Sequence, residues 1–324
     1  MGGWLNSDGG ADAEVGFCWS TSPNPTFNDN HFVSNNLKYM YFADTLTDLT
    51  PNTTYYVRAY ATNFLGTSFG EQEEFTTTDL SLNGVPCPDA PTVTDVDNNV
   101  YNTVRLGNQC WMKENLRTTH YADNTPISLG GNNVSATTPY RYYPNNNSYT
   151  VSTYGYLYNM AAVRHGAASS NSIPSGVQGI CPDGWHVPSC EEWYELRMFL
   201  INHRQVYACY GGSMWSFNNA KALASTTGWA VNYDPEGSSS CSPIVNPSTN
   251  NATNFTALPA GIRYGNNTFT FPYEEIGWYA QFWSCTQETS IYGAVMLIDG
   301  YYDDVIVSSV NKTEGCSVRC LRDQ

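Results

Sequence analysis

Along "TYYVRAYA" the residues Tyr55, Val57, Ala59 and Ala61 alternate with Tyr56, Arg58 and Tyr60. That two-residue period is the mark of a strand with one buried face. Comparable runs, "EVGFCWS" (14–20), "KYMYFADTLTDL" (38–49) and "SFGEQEEFTTT" (68–78), are separated by Pro-, Asn- and Gly-rich turns such as "TSPNPTFNDN". Residues 1–78 are therefore expected to form a small β-sandwich.

The stretch "DLSLNGVPCPDAPTVTDVD" is polar and Pro-rich and predicts a linker over 79–94. A second domain, 95–324, opens with Asn98-Asn99 between Val96 and the alternating Val100, Tyr101, Thr103 and Val104, which predicts a β-hairpin. The period then changes. Ser189 and Glu192 form a capping box, and Trp193, Leu196, Phe199 and Leu200 make a helical stripe, so a core-facing helix is predicted over about 189–203. A shorter helix is expected at 217–225, before Gly228-Trp229. From residue 254 strands return in "FTALPAGIRY", "GWYAQFWSCT", "AVMLID", "DVIVSSV" and "CSVRCLR". The pattern as a whole is α+β and β-rich.

Composition narrows the function classes. With a net charge of −15 and only 14 Lys+Arg among 324 residues, no basic stripe can be assembled for nucleic acid or an anionic membrane surface. No run approaches the ~18 apolar residues of a membrane span. Ten scattered cysteines without a C-x-x-C pair are expected to form disulfides in an oxidising compartment. The opening "MGGWLNSDGG" lacks the parts of a signal peptide, so an exported protein would be represented here by a mature fragment.

Two resemblances add to this reading. "DGGADAEVGFCWSTSPNPT", "LTDLTPNTTYYVRAYATN" and "GEQEEFTTT" are similar to the fibronectin type III-like modules of Bacteroidetes surface proteins. The resemblance implies that the chain enters such a module at its second strand, leaving an edge that a pilus subunit could complete by pairing. In the second domain, "VYNTVRLGNQCWMKENLRTTHYADNTPI", "YGYLYNMAAV", "GICPDGWHVPSCEEWYEL", "LPAGIRY", "FWSCT" and "NKTEGCSVRCLRD" resemble the Fibrobacter succinogenes major paralogous domain of secreted bacterial proteins. More loosely, they resemble domains of C-type-lectin-like fold, including formylglycine-generating enzymes.

Cys181, His186, Cys190 and Cys209 could form a zinc set, but C-x4-H-x3-C is not a standard knuckle, and His186 is expected to be a buried, hydrogen-bonded residue before the helix. Asp95, Asp97 and Asn99 resemble the start of a calcium loop whose later Gly and Glu are missing. Cys316 and Cys320 raise an oxidase reading, because formylglycine-generating enzymes use a close C-terminal cysteine pair. In a strand, however, positions i and i+4 lie about 13 Å apart and cannot pair. Cys316 could instead pair with Cys285 or pack as a small apolar group. The adjacent carboxylates Glu274-Glu275 and Asp303-Asp304 point to opposite faces of a strand, and Glu191-Glu192 lie in a helix first turn, so no glycosidase dyad is expected. The sugar-binding triplets of calcium-dependent lectins are not present. No metal, cofactor or catalytic residue is expected.

The closing segment "IYGAVMLIDGYYDDVIVSSV" predicts a hairpin with Asp299-Gly300 at its turn. A Tyr/Asp-rich tip suits recognition, since Tyr gives rigid contact area and Asp and Ser give adaptable hydrogen bonds. Retroelement-diversified C-type-lectin-like proteins carry their variable residues late in the chain, as a mixture of Tyr, Asp, Ser, Ile, Gly and Asn. That resemblance implies a ligand face built from Ile291, Tyr292, Met296, Ile298, Asp299, Tyr301, Tyr302, Asp303, Asp304, Ile306, Ser308 and Ser309, with Tyr264, Tyr273, Ile276 and Tyr279 as neighbours. The expected protein is a non-enzymatic pilus-tip or cell-surface adhesin outside a bacterial cell, binding a host or bacterial surface protein or glycan. An enzyme, either an oxidase on the formylglycine-generating fold or a polysaccharide-active protein, is the alternative, and a purely structural surface protein the third.

Overall fold

In the computed structural model, residues 2–7, 12–34, 40–44, 46, 49–50, 53–77, 83–209, 211, 217–230, 239–265, 273–274 and 276–323 are described. The chain divides into two compact units, Met1–Ser81 and Leu82–Gln324.

In the first unit β1 (Gly2–Trp4) pairs with β4 (Tyr41–Ala43), and β3 (Asn30–Val33), β2 (Glu14–Ser20), β5 (Thr54–Asn63) and β6 (Gly66–Thr76) form a four-stranded antiparallel sheet in that order. The alternation holds in the first half of β5, where Tyr55 and Val57 are buried and Tyr56 and Arg58 only partly so; past a register shift between Arg58 and Tyr60 it reverses, and Tyr60 is buried while Ala59 and Ala61 are half-buried. Leu5, Val15, Phe17, Phe42 and Val57 make the core between the sheets.

The second unit begins earlier than its hydrophobic pattern suggests. Cys87 is bonded to Cys110, and β7 (Thr92–Thr94) pairs with β8 (Val100–Leu106), so residues 83–94 are part of this unit rather than a linker. A Pro-rich segment can read as a tether and still be held when a disulfide and strand pairing satisfy its backbone. Residues 78–82 lie outside the described ones. The expected hairpin at Asn98-Asn99 is present, with Asn98 at φ 65°. Asp95 serves this turn: its carboxylate accepts from the backbone N–H of Asp97 and Asn99 and from the Tyr101 hydroxyl at 2.6 Å. Asp97 faces away, toward Thr118, Thr119 and His120. The two carboxylates diverge, which fits a hairpin rather than a calcium loop.

β8 continues through β9 (Gln109–Met112) to β19 (Leu321–Arg322) and β13 (Trp185–His186), giving a five-stranded sheet. Between these lie a small sheet of β10 (Ser128–Leu129), β11 (Tyr140–Tyr142) and β12 (Leu157–Tyr158), and two short helices, α1 (Val151–Tyr154) and α2 (Met160–Arg164). The principal helix is α3 (Cys190–Asn202), with the predicted capping box formed by Ser189 and Glu192. Trp193, Leu196 and Leu200 are fully buried on its inner face. It is followed by α4 (Arg204–Tyr207) and α5 (Ala220–Leu223), the latter only part of the predicted 217–225 helix. Trp193 stacks on Trp111 of β9 at 4.3 Å, with Phe255 and Phe282 around the pair. β14 (Ile262–Arg263) pairs with β15 (Tyr273–Glu274), and a three-stranded sheet, β16 (Tyr279–Gln287), β17 (Tyr292–Asp299) and β18 (Val305–Asn311), packs against α3. Taken together, the described residues form a β-rich protein of several sheets with few helices.

His186 holds the entry to α3, as its sequence context suggests. Buried, it places Nε2 2.8 Å from Glu192 and Nδ1 2.6 Å from Asp323. Burial disfavours the charged ring, but hydrogen bonding and attraction from Glu192, and then from Asp323, outweigh it and raise its pKa above the ordinary imidazole range. A raised pKa means tighter proton binding in the folded state. The resulting stability is complete below the unfolded value of about 6.5 and is lost as pH rises through the folded one. The difference in unfolding free energy between the parent chain and His186→Gln should therefore shrink as pH is raised from about 6 to about 9. A difference that grows over that range would mean the ring is neutral in the fold.

The disulfides correct part of the cysteine expectation. Cys87–Cys110, Cys181–Cys320 and Cys209–Cys241 are bonded, whereas Cys18, Cys190, Cys285 and Cys316 are buried thiols. Cys285 does not pair with Cys316; burial pushes the Cys285 thiol up to about 11 and raises that of Cys316 well above the ordinary thiol range. The candidate zinc set is dispersed as well, because Cys181 and Cys209 are each bonded to another cysteine.

Candidate ligand-binding face

The three-stranded sheet is packed on both faces, under α3 on one and, through Trp283, Cys285 and Val295, in a second core cluster on the other. Across β16, β17 and β18 the register aligns Phe282 with Met296 and Val307, and Ala280 with Ile298 and Val305; five of the six are buried in the core under α3 and Val307 packs against it. Met296 and Ile298 are fully buried, so these two candidates cannot meet a ligand. They are long apolar side chains on the central strand, where the inward face is already occupied by Leu196 and Leu200.

Strand alternation places Tyr279, Leu297, Ile306 and Ser308 on the opposite face, aligned through Tyr279 with Asp299, Leu297 with Ile306 and Val295 with Ser308. Tyr279, Leu297 and Ile306 are half-buried and Ser308 is exposed. Tyr264, just after β14, and Ile276 are also half-buried. Tyr273 is placed through its backbone pairing with Arg263, and its side chain lies outside the described residues. Leu297 belongs to this group although the sequence did not single it out. A lone Leu in "AVMLID" gives no sign of which face it takes.

The Asp299–Val305 tip was expected to stand free in solvent and does not. Asp299 and Asp303 are 9% and 5% exposed. The Tyr301 ring lies flat on Trp278 at 4.9 Å and packs on the main core. Ala220 N–H donates to the Asp303 carbonyl at 2.7 Å, Asn218 N–H to the Asp304 carboxylate at 2.9 Å, and Val305 N–H to the Asn219 side-chain carbonyl at 2.9 Å. Gly300 leaves no room for a side chain, since a Cβ there would come within 2.9 Å of Ile244 and 3.1 Å of the Trp278 carbonyl. The tip is thus clamped onto the start of α5 and the Ile244 loop. Of its residues only Tyr302, 61% exposed, points outward.

At the other end of the sheet Ile291 and Tyr292 are 53% and 45% exposed, and Ser309 of β18 is exposed as well. The predicted set therefore divides. Ile291, Tyr292, Tyr302, Ser308 and Ser309 remain reachable, with Tyr264, Ile276, Tyr279, Tyr301, Asp304 and Ile306 partly so, while Met296, Ile298, Asp299 and Asp303 are buried.

Beneath the outer face lies a titratable group. Burial pushes the Glu314 carboxyl up to about 7, against hydrogen bonds from the Asn311 backbone and from Gln281. The buried Gln281 also donates to the Cys316 sulfur at 2.9 Å. Among the described residues no group of three or more His, Cys, Asp or Glu is arranged to hold a metal ion.

A β-rich, disulfide-bonded unit with one long helix and a partly accessible sheet face is the class defined by these observations. Residues 104–322 match the family model for the Fibrobacter succinogenes major domain, and the chain belongs to that family. No curated protein and no solved structure is significantly similar to it.

Proposed function

We propose that the chain is an extracellular ligand-binding protein, a surface or pilus-tip adhesin whose second unit has a C-type-lectin-like fold and binds through the exposed edge and ends of its three-stranded sheet. The observation that carries this reading is what the packed sheet leaves open: with α3 on one face and Trp283 and Val295 buried on the other, Ser308 and Ser309 of the edge strand β18, and Ile291, Tyr292 and Tyr302 at the ends of the sheet, remain exposed on a rigid scaffold. Aromatic and short polar side chains on rigid strands give contact area without a large ordering cost. If retroelement-driven variation acts on this segment, it is tolerated at these exposed positions and resisted at Met296, Ile298, Asp299 and Asp303. The three disulfides suit a cell-surface setting. In the first unit, read as fibronectin-like, β1 pairs only with β4 among the described residues, and its other side would accept a strand from a pilus subunit. The oxidase alternative loses ground, since Cys320 is bonded to Cys181 and Cys316 is a buried thiol.

The test separates face from scaffold. Replacing Ile291, Tyr292 and Tyr302 together by Ser should abolish retention of whatever cell or glycoprotein the parent chain retains, with truncation of a central Tyr costing about 2 kcal/mol or more of binding. Exposed positions change stability by only about 0.5 kcal/mol each. Tyr301→Ala, by contrast, should lower stability by about 2 kcal/mol, because the ring is part of the core. Undiminished retention by the triple variant would move the binding site off this sheet.

A further inference from the structure

Beside α2 lies a pocket of about 430 Å³ that the ligand-face reading does not use. Its size falls within the range of small-molecule sites, roughly 300–1,000 Å³. Met160, Ala161 and Pro139 supply an apolar floor, and Arg164, His165 and Lys312 line it with nitrogen donors. The chain has only 14 Lys+Arg against 29 Asp+Glu. Two of those few cations converge here.

Their partner is neutral. Arg164 donates through NH1 to the Gln287 side-chain carbonyl at 3.2 Å, and Lys312 donates its ammonium to the same oxygen at 3.2 Å. Among the described residues no carboxylate lies within 4.0 Å of either cation; the close acid–base pairs there all involve histidine. The Ala167 carbonyl takes Nε and NH2 of Arg164, and with the one Gln287 oxygen it still leaves most of the eight N–H donors of a guanidinium and an ammonium without an acceptor among the described residues. Two cations sharing the Gln287 oxygen make a place for an oxyanion.

The cations are also held in position before any ligand arrives. Arg164 is fixed by its Nε donating to the Ala167 carbonyl at 2.9 Å. Lys312 is fixed in its backbone, its N–H on the Ile291 carbonyl at 2.9 Å and its carbonyl accepting from Met160 N–H at 3.1 Å. Gln287 is anchored by its backbone N–H to the Ser169 hydroxyl at 2.8 Å. The His165 residue is left-handed, φ 48°, and its ring is stacked on Tyr121 at 3.6 Å, so it forms a wall rather than a mobile arm. Little ordering cost remains for binding to meet.

We infer that this pocket binds an acidic sugar, its carboxylate or sulfate received by Arg164 and Lys312 and the apolar face of its ring resting on Ala161 and Pro139. A sugar fits the lining better than a bare anion does, because the floor is apolar while Thr137 and His165 at the rim can meet hydroxyl groups. The site is separate from the sheet edge and ends proposed above and stands or falls without them.

Titration calorimetry on the full chain at about 50 mM salt with glucuronate, glucose 6-sulfate, glucose and inorganic sulfate tests the inference. Saturable binding of both acidic sugars, with none of glucose, is the expected result. Lys312→Gln should weaken that binding at least tenfold without changing thermal unfolding, since among the described residues the ammonium bonds only to Gln287. Arg164→Gln should do the same, with Lys312→Gln deciding the matter if loss of the Ala167 contact unfolds the loop. Equal binding of glucose, sulfate binding as tight as glucose 6-sulfate, or indifference to Lys312→Gln would each overturn the proposal.

Discussion

Replacing Arg319 by methionine is expected to destabilise the second unit by about 3–5 kcal/mol, the largest effect of any single side chain considered. The guanidinium is completely buried, yet no carboxylate is bonded to it. It is satisfied instead by oxygens: Nε donates to the Asn115 side chain at 3.1 Å, NH1 to the Met112 carbonyl at 3.4 Å and to the Phe255 carbonyl, and NH2 to the Thr256 carbonyl at 2.7 Å. Its flat face sits over Phe255 at 4.5 Å and Phe282 at 5.2 Å. Burial pulls its pKa down to about 9, with Glu114 pulling the other way, so the group is still charged at neutral pH. Methionine fills the stem but leaves four oxygens without a donor in a dry interior, where each unsatisfied acceptor costs about 1–3 kcal/mol. Lysine would restore the charge without the fork and should recover only part of the loss. Urea unfolding of both variants measures this. A loss below about 1 kcal/mol for Arg319→Met would mean that water replaces the guanidinium, and the residue would not be the tie between the β9–Asn115 segment, the Phe255 loop and the closing strand.

Removal of the Cys181–Cys320 bond is the second large effect. The bond closes a separation of 139 residues, and the chain-entropy relation assigns such a loop about 5 kcal/mol of stability. The bonds across 23 and 32 residues correspond to about 3.5 kcal/mol each. The double variant Cys181→Ala, Cys320→Ala should therefore lose more than a Cys209→Ala, Cys241→Ala pair, as read from denaturant midpoints with the same slope. It should also free the closing strand β19, which bridges β9 and β13 in the middle of the five-stranded sheet. In the parent chain, denatured without reductant, thiol titration should find four free groups, those of Cys18, Cys190, Cys285 and Cys316. The reverse ranking of the two pairs would show that native contacts rather than loop closure dominate.

What could be read along the chain was what neighbouring residues decide among themselves. The start of α3 was legible because Ser189 and Glu192, three residues apart, satisfy each other's backbone, and the inner stripe of Trp193, Leu196 and Leu200 repeats at helical spacing. β2 and β5 were legible for the same reason, since a period of two is a local property. The family was legible in the order of short motifs such as "GWHVP" and "SVRCLR", which lie within the matched residues 104–322.

The tertiary structure decided what depends on segments far apart in sequence. A Tyr/Asp-rich turn looks solvated in isolation, but Asn218, 86 residues before Asp304, together with Trp278 and Ile244, closes over this one and makes Tyr301 a core residue. Even cysteine numbers could not say that Cys285 and Cys316 remain thiols, because pairing requires their Cβ atoms to approach in a suitable geometry and only the packed sheets set that geometry. Arg164 and Gln287 stand 123 residues apart, and their meeting with Lys312 beside α2 leaves no periodicity to read. Local spacing determines which elements form; which surfaces remain open is settled when those elements bury one another, since burial is a property of pairs of faces and not of any one stretch of chain.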